Sequence, residues 1–238
     1  MAKALRIAIV GAESTGKTAL AQALAASLAE LSGLRCTWVP EHLRAWCDAH
    51  GRTPRPGEQA AIAETQQALI EQAAAAHDVV VCDTTPLMTA VYSDWLFDDR
   101  SLVPLAIERQ RGCAISLLSA LDLDWQPDGL QRDGPQVQVP VDRLIRSLLI
   151  AHRLPWALVA GQGAARLETA LDAVAPLLRA RAAASSGLFT RLAARDAAQT
   201  PWRWTCEHCD SPDCERAARR QQQALAAAAA RPTQPAQR

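Results

Sequence analysis

Eight residues near the start of the chain, Gly11 to Thr18, read GAESTGKT. Gly, four residues of any kind, then Gly-Lys-Thr is a pattern that can hold a phosphate. In such a loop the backbone N–H groups point inward, and the helix that follows adds partial positive charge at its N-terminus. Gly11 and Gly16 let the main chain approach phosphate oxygens with no Cβ in the way. Glu13, Ser14 and Thr15 fill the space between them. Lys17 is expected to reach the β- and γ-phosphates, and Thr18 to put its hydroxyl on Mg²⁺. Lys3 and Lys17 are the sole lysines among 25 basic residues, so a lysine at this point is there for its chemistry.

Two acids could complete that chemistry. Asp83 follows the apolar run Asp78 to Cys82 (DVVVC), where a carboxylate near Mg²⁺ belongs; it could also be the group that accepts the substrate's proton, or could cap the helix that follows. Glu41 follows Arg35 to Val39 (RCTWV) and could accept the proton of a substrate hydroxyl, or pair with Arg44 on the surface. Tyr92 and Trp95 stand three apart on a helical stretch and could sandwich a flat ring or simply fill core. Arg132 and Arg143 lie in and beyond the polar stretch Gln126 to Gln138, which is long enough to be read as a functional loop or lid. Phosphoryl transfer needs positive charge gathered over the phosphates, which such arginines could supply.

The elements that must position these residues alternate. Strands are expected at Leu5 to Val10, Arg35 to Val39, Asp78 to Cys82, Ala114 to Ala120 and Trp156 to Ala160. Between them lie helical patterns: Ala19 to Leu31, His42 to His50, Glu58 to Ala76, Met88 to Phe97, Leu102 to Arg111 and Val141 to His152. Gly163 to Leu178 follows, with Leu167, Leu171, Val174 and Leu178 aligned. Thr85 is placed to cap the helix before Met88, with Pro86 at its first position. This alternation predicts an α/β fold of three layers, a parallel sheet of about five strands covered by helices on both faces.

The 238 residues carry no net charge, which removes any global pull toward nucleic acid or membrane. No apolar run reaches the length of a bilayer span, and the N-terminus does not read as a signal peptide. A cytoplasmic protein is expected. Cys36, Cys47, Cys82 and Cys113 are scattered like small core hydrophobes. Composition changes after Arg181, so residues 1–181 are read as one domain and 182–238 as a tail, with ten arginines against five acids from Arg179 onward. Within the tail, Cys206, His208, Cys209 and Cys214 could make a structural Zn²⁺ site. The usual second C-x-x-C is missing and His208 abuts Cys209, so a dimer sharing ligands, a protein partner docking on the tail, and plain reduced thiols are alternatives. The last residues are expected to be disordered.

Four segments, in order, carry a resemblance. They are GAESTGKT, Val39-Pro40-Glu41-His42-Leu43-Arg44, Cys82-Asp83-Thr84-Thr85, and Asp124-Trp125-Gln126-Pro127-Asp128-Gly129-Leu130. Residues 5 to 178 resemble the P-loop kinase-like family of the bacterial ribosylnicotinamide kinase domain, found in the multifunctional regulator of NAD biosynthesis. His42 stands where that family usually has tyrosine, and Gln131 where arginine usually follows Gly-Leu, with Arg132 next. The resemblance implies transfer of the γ-phosphate of ATP to the 5′-hydroxyl of nicotinamide riboside. The cysteine-containing tail lies outside it. A nucleotide-dependent switch or ATPase acting on a protein, and a nucleic-acid module using the Arg-rich tail, are the rival expectations.

Overall fold

The computed structural model describes residues 3–127 and 134–182. Five strands form one sheet: β1 (Leu5–Val10), β2 (Cys36–Val39), β3 (Val79–Asp83), β4 (Ile115–Ser119) and β5 (Trp156–Val159). All pairings are parallel, in the order β2-β3-β1-β4-β5. The seven helices among the described residues are α1 (Lys17–Ser32), α2 (His42–His50), α3 (Gln59–Ala76), α4 (Pro86–Phe97), α5 (Val103–Gln110), α6 (Gln138–Ala151) and α7 (Gly163–Ala182). Every expected strand is present, and the expected three-layer α/β fold is the one found.

The period-2 alternation of β1 sorts its side chains between the two outer layers. Ile7 and Ile9 pack with Leu20, Leu24 and Leu28 of α1 and with Leu171, Val174 and Leu178 of α7. Ala8 and Val10 face the other way, toward Leu87 and Val91 of α4, Ile107 of α5, and Val141, Ile145 and Leu149 of α6. A smaller cluster, Val39, Val80 and Cys82, is covered by Ile70 of α3. Each fully buried aliphatic side chain contributes roughly 1.5–3 kcal/mol. Two-sided burial explains why these strands read as unbroken apolar runs rather than alternating ones.

The strand order fixes where a ligand can sit. β1 lies between β3 and β4, in register Leu5↔Val79 and Ile7↔Ile115. The carboxyl ends of β1, β2 and β3 therefore lie side by side and carry the glycine loop, Glu41 and Asp83, on the edge where open α/β sheets take their ligands. Asp122 and Arg166 brace this edge from behind. Arg166, 4% exposed on α7, donates to Asp122 Oδ1 at 2.9 and 3.0 Å. It also donates to the carbonyls of Thr15 (3.2 Å) and Ala120 (3.1 Å), pinning the glycine loop to the end of β4.

The far end of the expected lid is more ordered than the sequence suggested. A 3-10 turn at Pro135–Val137 leads directly into α6, three residues before the expected helix start. The expected boundary after Arg181 falls where the described residues end, and the tail lies outside them.

Candidate active site

The glycine loop has the conformation its residues were chosen to adopt. Gly16 has φ 72°, and Gly11 has φ 153°. A Cβ on Gly11 would lie 3.0 Å from Ser119 Cβ and 3.1 Å from Thr15 Oγ1. A Cβ on Gly16 would lie 3.0 Å from Leu123 Cδ1. Both glycines are thus required by close approach as well as by backbone angle. Within the loop, the Thr15 hydroxyl donates to Ala12 O at 2.7 Å and Lys17 Nζ donates to the same carbonyl at 2.8 Å. Ser14 is held at φ 58°.

Two loop residues that the pattern leaves unspecified make tertiary bonds. Glu13 is 7% exposed, and its Oε1 accepts from Trp125 Nε1 (3.2 Å) and from the Gly134 amide (3.0 Å). Gln138 Nε2 donates to the Glu13 carbonyl at 2.9 Å, and the Gln126 amide donates to Ser14 Oγ at 2.7 Å. The phosphate loop therefore grips both flanks of residues 128–133. Arg132, the expected charge over the phosphates, lies outside the described residues. Arg143 is described and exposed on α6, and does not line the cavity.

Asp83 ends β3 and is 1% exposed. Burial pushes its carboxyl up from the ordinary range. A hydrogen bond from the Thr18 hydroxyl and the charges of Lys17 and Arg44 oppose that rise. Its Oδ1 is buried with no hydrogen-bond partner. Asp83 does not serve α4 as a cap, because its partner is on α1. Thr85 occupies the N-cap position with Pro86 next, as expected, but its hydroxyl makes no capping bond. It donates instead to Gln110 Oε1 (2.7 Å), whose Nε2 donates to Ser116 Oγ (2.8 Å), because this chain satisfies three buried polar groups at once. Between Asp83 and Thr85, Thr84 is held at φ 69°. A β-branched residue there is strained by order 1–3 kcal/mol, which is characteristic of functional sites.

Glu41 is the N-cap residue of α2 but makes no capping bond with its side chain. Its Oε2 lies 4.0 Å from an Arg44 nitrogen. Gln66 of α3 fixes this turn, accepting from the His42 amide at 2.7 Å and donating to Pro40 O at 3.3 Å.

One cavity of about 630 Å³ is lined by the phosphate loop, the turn into α2 and Thr84; Asp83, the buried neighbour of Thr84, does not itself line it. Glu13 to Thr18, Glu41 and Arg44 all line it. Met88, Thr89, Tyr92, Leu96 and Phe97 of α4 form a wall of it. Trp95 does not line it and is 41% exposed. The reason is helix geometry: Met88, Tyr92 and Leu96 form an i, i+4 row, and Trp95 is turned about 100° from Leu96. The expected Tyr92–Trp95 sandwich is therefore not formed, and Leu96 and Phe97 stand beside Tyr92 instead. Gln59 and Ile62 of α3 also line the cavity; nothing in the local sequence pattern singled them out. Among the described residues no group of three His, Cys, Asp or Glu could hold a metal ion, and Cys206, His208, Cys209 and Cys214 lie outside them.

A glycine loop between a central parallel strand and a helix, with a buried acid on the adjoining strand, defines a P-loop nucleotide-binding domain of kinase-like fold. The AAA_28 family, an AAA domain, matches residues 6–166, and the chain belongs to that family. A search of curated proteins returns no match. Among solved structures, the chain is similar to NadR protein in complex with NR, at 18% identity and TM-score 0.58 over 72% of this chain and 50% of that one. It is equally similar to NadR in complex with NAD and AMP-PNP (18%, 0.58, covering 72% and 48%). Thymidylate kinase from Ehrlichia chaffeensis matches at 14% identity and TM-score 0.52, over 74% of this chain and all of that one. The chain spans about half the length of the NadR chains. At these identities the shared property is the fold, which is the fold the resemblance implied.

Proposed function

We propose that this chain is an ATP-dependent kinase that phosphorylates a small hydroxyl substrate, with nicotinamide riboside as the first candidate. The observation that carries the reading is one cavity lined at once by the phosphate loop, by a carboxylate and by apolar and aromatic side chains. A switch needs the first of those linings and has no use for the last. The loop amides and Lys17 hold the β- and γ-phosphates. Thr18 and Asp83 would hold Mg²⁺: a hydroxyl bonded to a carboxylate whose other oxygen is orphaned offers a hard cation two oxygen ligands. When bound, the ion neutralises charge on the transferring group.

With Asp83 assigned to that role, Glu41 is the carboxylate that would orient the acceptor hydroxyl and receive its proton, since it lines the same cavity as the phosphate loop. Arg44 lies beside it, and its positive charge would stabilise the transferring phosphoryl group. Tyr92 lies against the ring of the acceptor, between Met88 and Leu96. Catalysis on this reading is positioning plus charge stabilisation. Such an enzyme would work in the cytoplasm, where ATP is made available. Among the described residues no helix is long and apolar enough to cross a membrane.

The test is a nucleoside panel scored for ATP-to-ADP conversion and phosphorylated product. Turnover that requires a nucleoside, highest with nicotinamide riboside, is the expected result. Slow ATP hydrolysis indifferent to every nucleoside would refute it.

A further inference from the structure

Gln59 is a large polar residue with 3% of its surface exposed, at the first position of α3. Its carboxamide has no hydrogen-bond partner among the described residues, yet neither amide atom is sealed from access. What little of the residue remains accessible opens on the cavity that also holds the phosphate loop. An amide held at so low an exposure loses most of its hydration with no bond in return. Its neighbours Gln66 and Gln67 on α3 avoid that cost, by bonding to Pro40 and His42 and to Glu71 respectively. Thr89, 8% exposed on α4, adds a second unpartnered polar group to the cavity wall. Ile62, Met88, Leu96 and Phe97 line the same cavity with apolar side chains, while Thr53, Gln66, Thr84 and Tyr92 add further polar groups.

We infer that Gln59 is a specificity-determining residue that reads an amide-type edge on the acceptor's ring. A side-chain carboxamide presents a fixed acceptor beside a donor, so it pairs in bidentate fashion with a planar group that offers a donor beside an acceptor. A primary carboxamide on a pyridinium ring has that edge, and so does the ring amide of uridine or inosine. A ring with no such group leaves Gln59 unpaired in the complex, and a buried unpaired amide is what makes hydrogen-bonding sites selective. The assignment rests on the kinase reading for its substrate class, but the pairing concerns binding and is measurable without turnover.

The experiment compares wild type with Gln59→Met, which keeps length and removes the amide, and Gln59→Glu, which keeps shape and loses the donor. Each is measured with nicotinamide riboside, with N-ribosylpyridinium lacking the carboxamide, and with uridine and inosine. Binding is read by calorimetry in the presence of a non-hydrolysable ATP analogue, turnover by ADP release, and folding by melting temperature. The wild type should prefer at least one amide-bearing nucleoside over N-ribosylpyridinium by about 10- to 100-fold. Which nucleoside it prefers distinguishes an exocyclic carboxamide from a ring amide. Gln59→Met should bring that ratio close to one while the ATP KM stays within about threefold of wild type. Gln59→Glu should lose affinity without gaining N-ribosylpyridinium.

An unchanged ratio in both variants, or an equal loss for all four nucleosides, would overturn the assignment. So would a wild type that binds all four alike or none of them. If amide-bearing nucleosides bind selectively but none is phosphorylated, the kinase reading fails and the role of Gln59 stands.

Discussion

Replacing Asp83 by asparagine separates the two uses a buried acid can have. The carboxyl is 1% exposed, its Oδ1 has no partner, and burial raises its pKa. An acid whose folded pKa is raised binds its proton more tightly folded than unfolded, so ionising it destabilises the fold. That penalty is absent below about pH 4, the range of an unfolded aspartate, and complete once the pH has risen through the raised folded value. Asparagine carries no charge and its Oδ1 can still accept from Thr18. D83N should therefore melt higher than wild type at neutral pH. Relief of about 1 kcal/mol corresponds to roughly 2–4 °C in a domain of this size. The gap should shrink as pH falls toward 4.

Turnover should move the opposite way in the same variant. Loss of one preorganised charge-stabilising group costs about 10²- to 10³-fold in kcat. The ATP KM should change little, because the loop and Lys17 are intact. Differential scanning calorimetry between pH 4 and 8 and steady-state kinetics at pH 7.5 give both readouts on one sample. A variant that melts lower than wild type, with kcat and ATP affinity falling together, would refute the argument and make Asp83 a structural residue.

Lys17→Ala should abolish phosphoryl transfer with the far-UV circular dichroism unchanged, since its ammonium serves the loop rather than the core; full turnover would remove the phosphate site. Arg166→Ala should cost about 3 kcal/mol, or roughly 6–12 °C in melting temperature, because Asp122 and the carbonyls of Thr15 and Ala120 lose their shared donor. Tyr92→Leu should erase most of the preference for nicotinamide riboside over a neutral nucleoside, about thirtyfold if a cation–π contact of about 2 kcal/mol is realised. Trp95→Leu should leave that ratio where it was, as a residue outside the cavity must.

The parts legible in the sequence are those that repeat a local rule. The runs of the central strands β1 and β3 are unbroken because both faces are buried, and the loop declares itself through Gly11, Gly16, Lys17 and Thr18. Asp83 and Glu41 could be singled out because position at a strand's carboxyl end is a sequence property. What could not be read depends on rotation or on distant partners. Trp95 and Leu96 are one residue apart, and one residue of helix turns a side chain out of the cavity. Thr85 has the right type for a cap, but a glutamine 25 residues on takes its hydroxyl. Arg166 and Gln59 match no pattern, since a single arginine or glutamine on a helix is ordinarily a solvated surface group. Their importance comes from being buried, and burial there is set by α7 and α3 closing on the sheet.

The brace from Arg166 to Thr15 O spans 151 residues of sequence, and β1 finds its partners only at Val79 and Ile115. The first strand made therefore waits for more than 100 residues of chain before both its neighbours exist. During synthesis the glycine loop emerges early, gains its neighbouring strands once β4 is made, and lacks its buttress until α7 is out of the ribosome. A chain stopped before residue 166 holds every residue of the phosphate-binding pattern and lacks the support that shapes it. If the loop takes nucleotide as proposed, binding would require the completed fold. A ligand that binds only the finished form adds RT ln(1 + [L]/Kd) to its stability, about 2.7 kcal/mol at a hundredfold excess over Kd. ATP in the cell would favour finished molecules over nascent ones before it served as a phosphate donor.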